Sequence, residues 1–173
     1  MPTPRGDLGV GVLGGKLYAI GGDDAVFFGT NERYDPETDS WSAAAPMPTP
    51  RAVFGAAVLE GRLYVTGGND GTATLGTVES YDPDGDSWRT LPAMPTARDN
   101  VATAVAGGRV IALGGINGGA LDVAEAGLPG LSPGATLSLT LTGQVGTVCA
   151  STPASNTAWV SGGAKAAVDP KKI

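Results

Sequence analysis

The sequence predicts an all-β protein in which one four-stranded antiparallel unit is copied along the chain. Three observations carry this. Met-Pro-Thr-Pro-Arg stands at residues 1–5 and 47–51 and returns as Met-Pro-Thr-Ala-Arg at 94–98. Paired glycines follow each copy, Gly21-Gly22, Gly67-Gly68 and Gly114-Gly115, in steps of 46 and then 47 residues. Tyr34 and Tyr81 are 47 apart, and so are Trp41 and Trp88. A period of that length, kept by several residue types, marks one supersecondary unit stacked on itself.

The second copy shows the elements most clearly. Gly-Ala-Ala-Val-Leu at 55–59 and Arg-Leu-Tyr-Val-Thr at 62–66 read as two strands joined at Glu60-Gly61. Apolar, β-favouring runs separated by two residues that include Gly signal a hairpin. A loop from Asn69 to Gly76 leads to a third strand at 77–81. Asp82-Pro-Asp-Gly-Asp86 is dense turn chemistry, and Ser87-Trp-Arg-Thr-Leu91 is the fourth strand. The first strand of every unit is built from small residues: Gly9 and Gly11, then Gly55, Ala56 and Ala57, then Ala102 and Ala104. Innermost strands converge where large side chains would crowd. Tyr34, Trp41, Tyr81 and Trp88 on the outer strands suit the wider gaps between units. Four strands per period of about 50 residues is the pattern of a propeller blade.

Gly-Gly, Tyr-Asp-Pro, Asp-Ser-Trp and Met-Pro-Thr-Pro-Arg, recurring in that order, resemble the kelch motif. The resemblance implies a kelch-type β-propeller of about three to four blades. It covers repeats at about 1–46, 47–93 and 94–125. Residues 126–173 read as the degenerate end of the third repeat and a truncated fourth unit. Where Tyr-Asp-Pro and Trp are due, near 128 and 135, the sequence has Ala126-Gly-Leu-Pro-Gly130 and Ala135, and no charged residue occurs from Ala126 through Ala164. Yet Thr136 to Thr142 alternates as a half-buried strand does, and Gly162-Gly163 keeps register, 48 residues after Gly114. An unrelated Ser/Thr/Gly-rich tail is the other reading of this stretch. Met1 falls in phase with Met47 and Met94, which predicts a chain that begins inside a repeat and lacks one strand of it. Division of 173 residues by 47 gives about 3.7 units, whereas closed propellers use about four to eight blades. The expectation is a small propeller or a portion of a larger one, with exposed blade edges open to self-association.

Composition narrows the function classes. Net charge is −6 and the basic residues are scattered, so nothing resembles the positive surface that attracts nucleic acid. No apolar run reaches about 18 residues, and no apolar leader segment is present. Localisation is left unknown by this: cytoplasmic is the default expectation, and secreted the expectation for a portion of a larger protein. The single cysteine, Cys149, offers no internal disulfide and no thiolate cluster. It reads as a small buried strand residue, with a reactive thiol as the alternative. Histidine is absent, which removes the commonest general base and zinc ligand. No catalytic constellation, resident metal or cofactor is expected.

Several local patterns have two readings. Gly9, Gly11 and Gly14 spell a dinucleotide-loop pattern, but they lie on a first strand with no helix to follow. Asp82, Asp84 and Asp86 resemble the front of a calcium loop without its distal Glu, and turn chemistry is the better account. Arg5, Arg51 and Arg98 recur at one place in each unit. They could ring the pore mouth for an anion, or each could tie its own inter-blade connection; repetition in every unit favours the tie.

What varies between units is the better guide to function, because variable loops on a rigid frame carry recognition. The loops after the Gly-Gly pairs contain Asp23, Asp24, Phe27, Asn69, Asp70 and Asn117, and the segments after each Arg contain Asp99 and Asn100. Kelch resemblance implies that both loop sets gather on one face and hold the partner. Val26, Phe27 and Phe28 form either a contact patch there or a loop that folds back onto its blade. The expected function is a non-catalytic interaction module for a protein or small polar ligand. The alternative is the propeller portion of a carbohydrate-active enzyme, sugar-oxidase-like or sialic-acid-isomerase-like, whose catalytic part lies elsewhere. The absence of histidine weighs against the oxidase version.

Overall fold

Hairpin turns and alternating strands assemble as blades. The computed structural model describes residues 1–122 and 124–127. The first sheet runs β1 (Gly9–Leu13), β2 (Lys16–Ile20), β3 (Asn31–Asp35), β4 (Ser40–Ala44), in that spatial order. The second repeats it with β5 (Gly55–Leu59), β6 (Arg62–Thr66), β7 (Val78–Asp82) and β8 (Ser87–Leu91). The third contains β9 (Ala102–Ala106), β10 (Arg109–Leu113) and β11 (Ala124–Gly127), with β10 in the middle. Every pairing is antiparallel. No helix occurs among the described residues. The first sheet has all four strands, so the expected missing strand is a correction: the Met-Pro-Thr-Pro-Arg phase marks the entry loop of a blade, not its middle. The strand expected at 136–142, Cys149 and the fourth unit lie outside the described residues.

Each blade begins with a tight hairpin. Glu60 and Gly61 both take positive φ, 50° and 71°, the two-residue geometry whose twist matches paired strands. Gly9 and Gly11 lie on β1 and run into the same kind of turn, so the dinucleotide-loop pattern is a strand and a hairpin. At the opposite strand ends, Gly67 and Gly68 take φ of 65° and 103°. In that conformation Gly67 N–H donates to Thr77 O (2.9 Å) and Gly68 N–H to Arg98 O (2.9 Å). The pair thereby ties the blade to its own loop and to the next connection.

β1, β5 and β9 lie side by side, with the outer strands fanning away. The small residues on these strands sit where neighbouring first strands converge, as the sequence suggested: a Cβ on Gly9 would meet Ala56 and Phe54, and one on Gly55 would meet Thr103. A Cβ on Gly11 would collide with the Leu63 side chain of the next blade. The core is therefore made between sheets. Leu13, Tyr18 and Ile20 of the first blade close on Leu63, Val65 and Tyr81 of the second, with Met47 from the connection. Leu59 and Tyr64 meet Val110 across the next junction, and Val78 meets Met94, Val101 and Ala112. Trp88 is half-buried against the first cluster, and its Nε1 donates to Ala45 O (2.7 Å) in the preceding connection.

Candidate functional site

One face of the stack collects every variable loop. Strands β1, β5 and β9 start there and β2, β6 and β10 end there, so Gly6–Asp23, Ala52–Asn69 and Asp99–Ile116 form equivalent bridges in consecutive blades. Around the axis, Val53 N–H donates to Asp7 O (3.1 Å) and Asn100 N–H to Val53 O (2.7 Å). These three residues share a left-handed backbone, with φ of 47°, 50° and 49°. Asp and Asn tolerate that region. A β-branched valine does not, and Val53 stores on the order of 1–3 kcal/mol of strain.

Arg5, Arg51 and Arg98 stand beneath this face and are not available to a ligand. Their side chains are fully buried, and each meets a glutamate of its own blade: Arg5–Glu32 at 2.7 Å, Arg51–Glu79 at 2.6 Å, Arg98–Glu125 at 3.0 Å. Arg5 also donates to the carbonyls of Thr3, Ala19 and Gly21. Arg51 donates to Thr49 O, and its guanidinium lies 5.9 Å from the Phe54 ring centre, a favourable cation–π placement. Burial pulls the Arg51 guanidinium below its ordinary pKa, and Glu79 opposes that. For Glu32, burial pushes upward, but hydrogen bonds from Thr3 and Arg5 outweigh it and hold the carboxyl below its ordinary value. The arginines are the tie between blade and connection, as their repetition suggested. Their glutamate partners, at 32, 79 and 125, were missed in the sequence although they keep the same period.

The loops divide into groups that hold themselves and groups that stay free. Asp70 Oδ1 accepts from Thr72 N–H (2.8 Å), Thr72 Oγ1–H (2.7 Å) and Ala73 N–H (2.8 Å), and these bonds lower its pKa, the Thr72 hydroxyl first. Asn69 Oδ1 accepts from Gly71 N–H (2.7 Å). Across the junction, Asp99 accepts from Thr74 Oγ1–H (2.9 Å) and Asn100 Nδ2–H (3.0 Å), with Asn69 Nδ2 at 3.5 Å. Asn69, Asp99 and Asn100 thus come together as one polar cluster between two blades. The Phe27 ring lies against Gly71 of the next loop, where a Cβ would touch it. Phe27 therefore folds onto its neighbour, and Val26 remains 58% exposed. Asp24 and Asn117 are exposed, and Asp23 is half-buried. Ile116, not among the expected contacts, is 45% exposed on the same face.

On the opposite face a shallow cleft of about 310 Å³ lies between the first two blades, lined by Lys16, Tyr18, Arg33, Pro83 and Asp84 among others. Its cations are engaged, Lys16 with Asp35 at 2.6 Å and Arg33 with Ser42 at 3.3 Å. At the neighbouring turn Asp82 Oδ1 accepts from Asp84 N–H, Asp82 Oδ2 pairs with Arg62, and Asp86 Oδ1 accepts from Tyr81 O–H and Ala45 N–H. Turn and junction chemistry accounts for the aspartates that resembled a calcium loop.

Comparison with known proteins places this geometry. Residues 4–48 and 50–95 each match the Kelch motif, together more than half of the chain. No curated protein sequence shows significant similarity to it. Among solved structures, one described as "Structure of YjhT" superposes with a TM-score of 0.59 at 23% identity, over 68% of this chain and 35% of that one. Identity that low speaks for the fold, and this chain spans about a third of that structure's length.

Proposed function

The chain belongs to the kelch-repeat family, and on that footing we propose that it is a non-catalytic interaction module whose loop face holds a protein segment. The observation that supports this most is the contrast within that face. Every arginine on it is buried against a glutamate, whereas Asp7, Asp24, Asn100 and Asn117 are exposed beside Val26 and Ile116. Exposed carboxylates without exposed cations favour a partner with basic side chains, and such complementarity steers encounter and sets register. The two apolar residues supply the desolvated contacts from which affinity is drawn.

The test is a displayed peptide library selected against the full chain. Recovered sequences should be enriched in Lys and Arg next to an apolar residue, and they should bind more weakly as salt rises. A triple variant, Asp24→Ala, Val26→Ala and Asn117→Ala, should lose them without a change in melting temperature. Selection of sequences that bind that variant unchanged would contradict the assignment of the face.

A further inference from the structure

Three places among the described residues set an aspartate or asparagine directly before a glycine: Asp70-Gly71, Asp84-Gly85 and Asn117-Gly118. Such pairs are open to ring closure, in which the glycine nitrogen attacks the preceding side-chain carbonyl carbon, because the glycine has no Cβ to stand in the way. The fold closes that route at two of them. Gly71 N–H donates to Asn69 Oδ1 (2.7 Å), and Asp70 Oδ1 is held by Thr72 and Ala73. Gly85 N–H is engaged by the Asp82 carboxylate.

Asn117 is different. It is exposed, its carboxamide has no hydrogen-bond partner among the described residues, and neither has the Gly118 N–H. Gly118 takes a φ of 71°, and beyond its chain neighbours no atom lies within 4 Å of where a Cβ would stand. The loop around the pair is held by Ile116 N–H on Asp99 O (2.8 Å), Asn117 N–H on Gly119 O (3.0 Å) and Leu121 N–H on Gly115 O (2.9 Å). Nucleophile and electrophile are therefore neighbours in a fixed loop, and neither is engaged. The other described asparagines lack this arrangement. Asn31 is buried, donates to Ala45 O and precedes Glu32. Asn69 is held at Oδ1 by Gly71 N–H, and Asn100 donates to Asp99 and precedes the β-branched Val101.

We propose that Asn117 is a modification site, at which the chain converts its own asparagine to aspartate and isoaspartate with water as the only co-reactant. Gly118 N gives up its proton to solvent base and attacks Asn117 Cγ. The Cγ–Nδ2 bond breaks, ammonia leaves with a proton taken from solvent, and a succinimide ring remains. Water then adds to either ring carbonyl, and the ring C–N bond at that carbon breaks. Opening at Cγ gives aspartate; opening at the main-chain carbonyl carbon gives isoaspartate, with the backbone rerouted through Cγ. Nothing is oxidised or reduced. Either product adds one carboxylate to a chain of formal net charge −6, on the face that carries Val26 and Ile116. On the function proposed above, on which this consequence rests, the added charge has the sign that a basic partner recognises.

Peptide mapping by mass spectrometry, on the full chain aged in mildly alkaline buffer, tests the conversion. No partner is present, so a failed peptide selection leaves it standing. The amide-to-acid mass change should appear at Asn117 about 100 times faster than at Asn31, Asn69 or Asn100. In heavy-oxygen water each converted residue should gain one heavy oxygen, and an isoaspartyl methyltransferase should label the product. Asn117→Gln should abolish both signals. Asp70 and Asp84, whose glycines are engaged, should gain isoaspartate only once the chain is unfolded in urea. Conversion at Asn117 no faster than at Asn69, a product without heavy oxygen, or isoaspartate formed as fast at Asp70 of the folded chain would each overturn the proposal.

Discussion

Tyr34 and Tyr81 hold the same place in consecutive blades, each donating its hydroxyl to an aspartate five residues on and packing on a tryptophan ring 5.2 Å away. Tyr81 is 1% exposed, with Tyr18 of the first blade against it at 5.5 Å, and Tyr34 is half-buried. The phenols register the difference. Both pKa values are raised, but burial is the main cause for Tyr81 and the hydrogen bond to Asp39 is the main cause for Tyr34. Local sequence therefore builds the hydrogen-bonded unit, and the neighbouring blade converts it into core. Stability in this fold belongs to junctions between blades more than to the blades themselves.

The comparison breaks first at the buried ion pairs. Arg51→Ala strands Glu79, which is fully buried, and should cost about 3–5 kcal/mol, read from urea unfolding. An effect below about 1 kcal/mol would mean that water reaches this junction. A smaller gain is expected from Val53→Asn, which keeps the left-handed backbone in a residue that tolerates it and should stabilise by about 1 kcal/mol. Loss of stability there would show that the Val53 side chain outweighs the strain of its backbone.

Acidity and alkalinity separate the blades further. Glu32 and Asp86 have folded pKa values below their ordinary ones, Glu32 through Thr3 and Arg5 against burial, Asp86 through Ala45 N–H and then Tyr81. Their contribution is complete above the ordinary carboxylate range of about 4 and is lost as pH falls through the depressed values. Melting temperature should decline from about pH 5 downward. For the raised Tyr81, stability is complete below about pH 10 and falls as pH rises beyond it. Spectrophotometric titration should find Tyr81 ionising at higher pH than Tyr34, and the reverse order would contradict its burial. The smallest effect belongs to the loop face, where the Asp24, Val26 and Asn117 triple variant should stay within about 0.5 kcal/mol of the parent.

Much of the frame was legible in the sequence because its signals are local. The strands at 55–59, 62–66 and 87–91, the Glu60-Gly61 turn and the place of Trp88 follow from alternation, glycine and period alone. The third strand of that blade shifted by one residue, to Val78–Asp82, since a loop end offers no such signal. What was missed is non-local. Glu32, Glu79 and Glu125 keep the repeat spacing, but only the fold shows that each lies opposite a buried arginine. The inter-blade role of Gly11 required Leu63, 52 residues away, to be placed against it. At the site, the convergence of Asn69, Asp99 and Asn100 followed from loop equivalence. The split between Phe27 and Val26 did not, because it depends on Gly71 in the next loop.

Trp41 and Trp88 give the most direct measurement. Each is replaced by Ala and unfolded in urea. Trp88→Ala removes a junction contact and the bond to Ala45 and should cost about 3 kcal/mol, whereas Trp41→Ala should cost less than about 1 kcal/mol. Equal losses at the two positions would contradict the account, because they would place the stabilising contacts inside each blade and not between them.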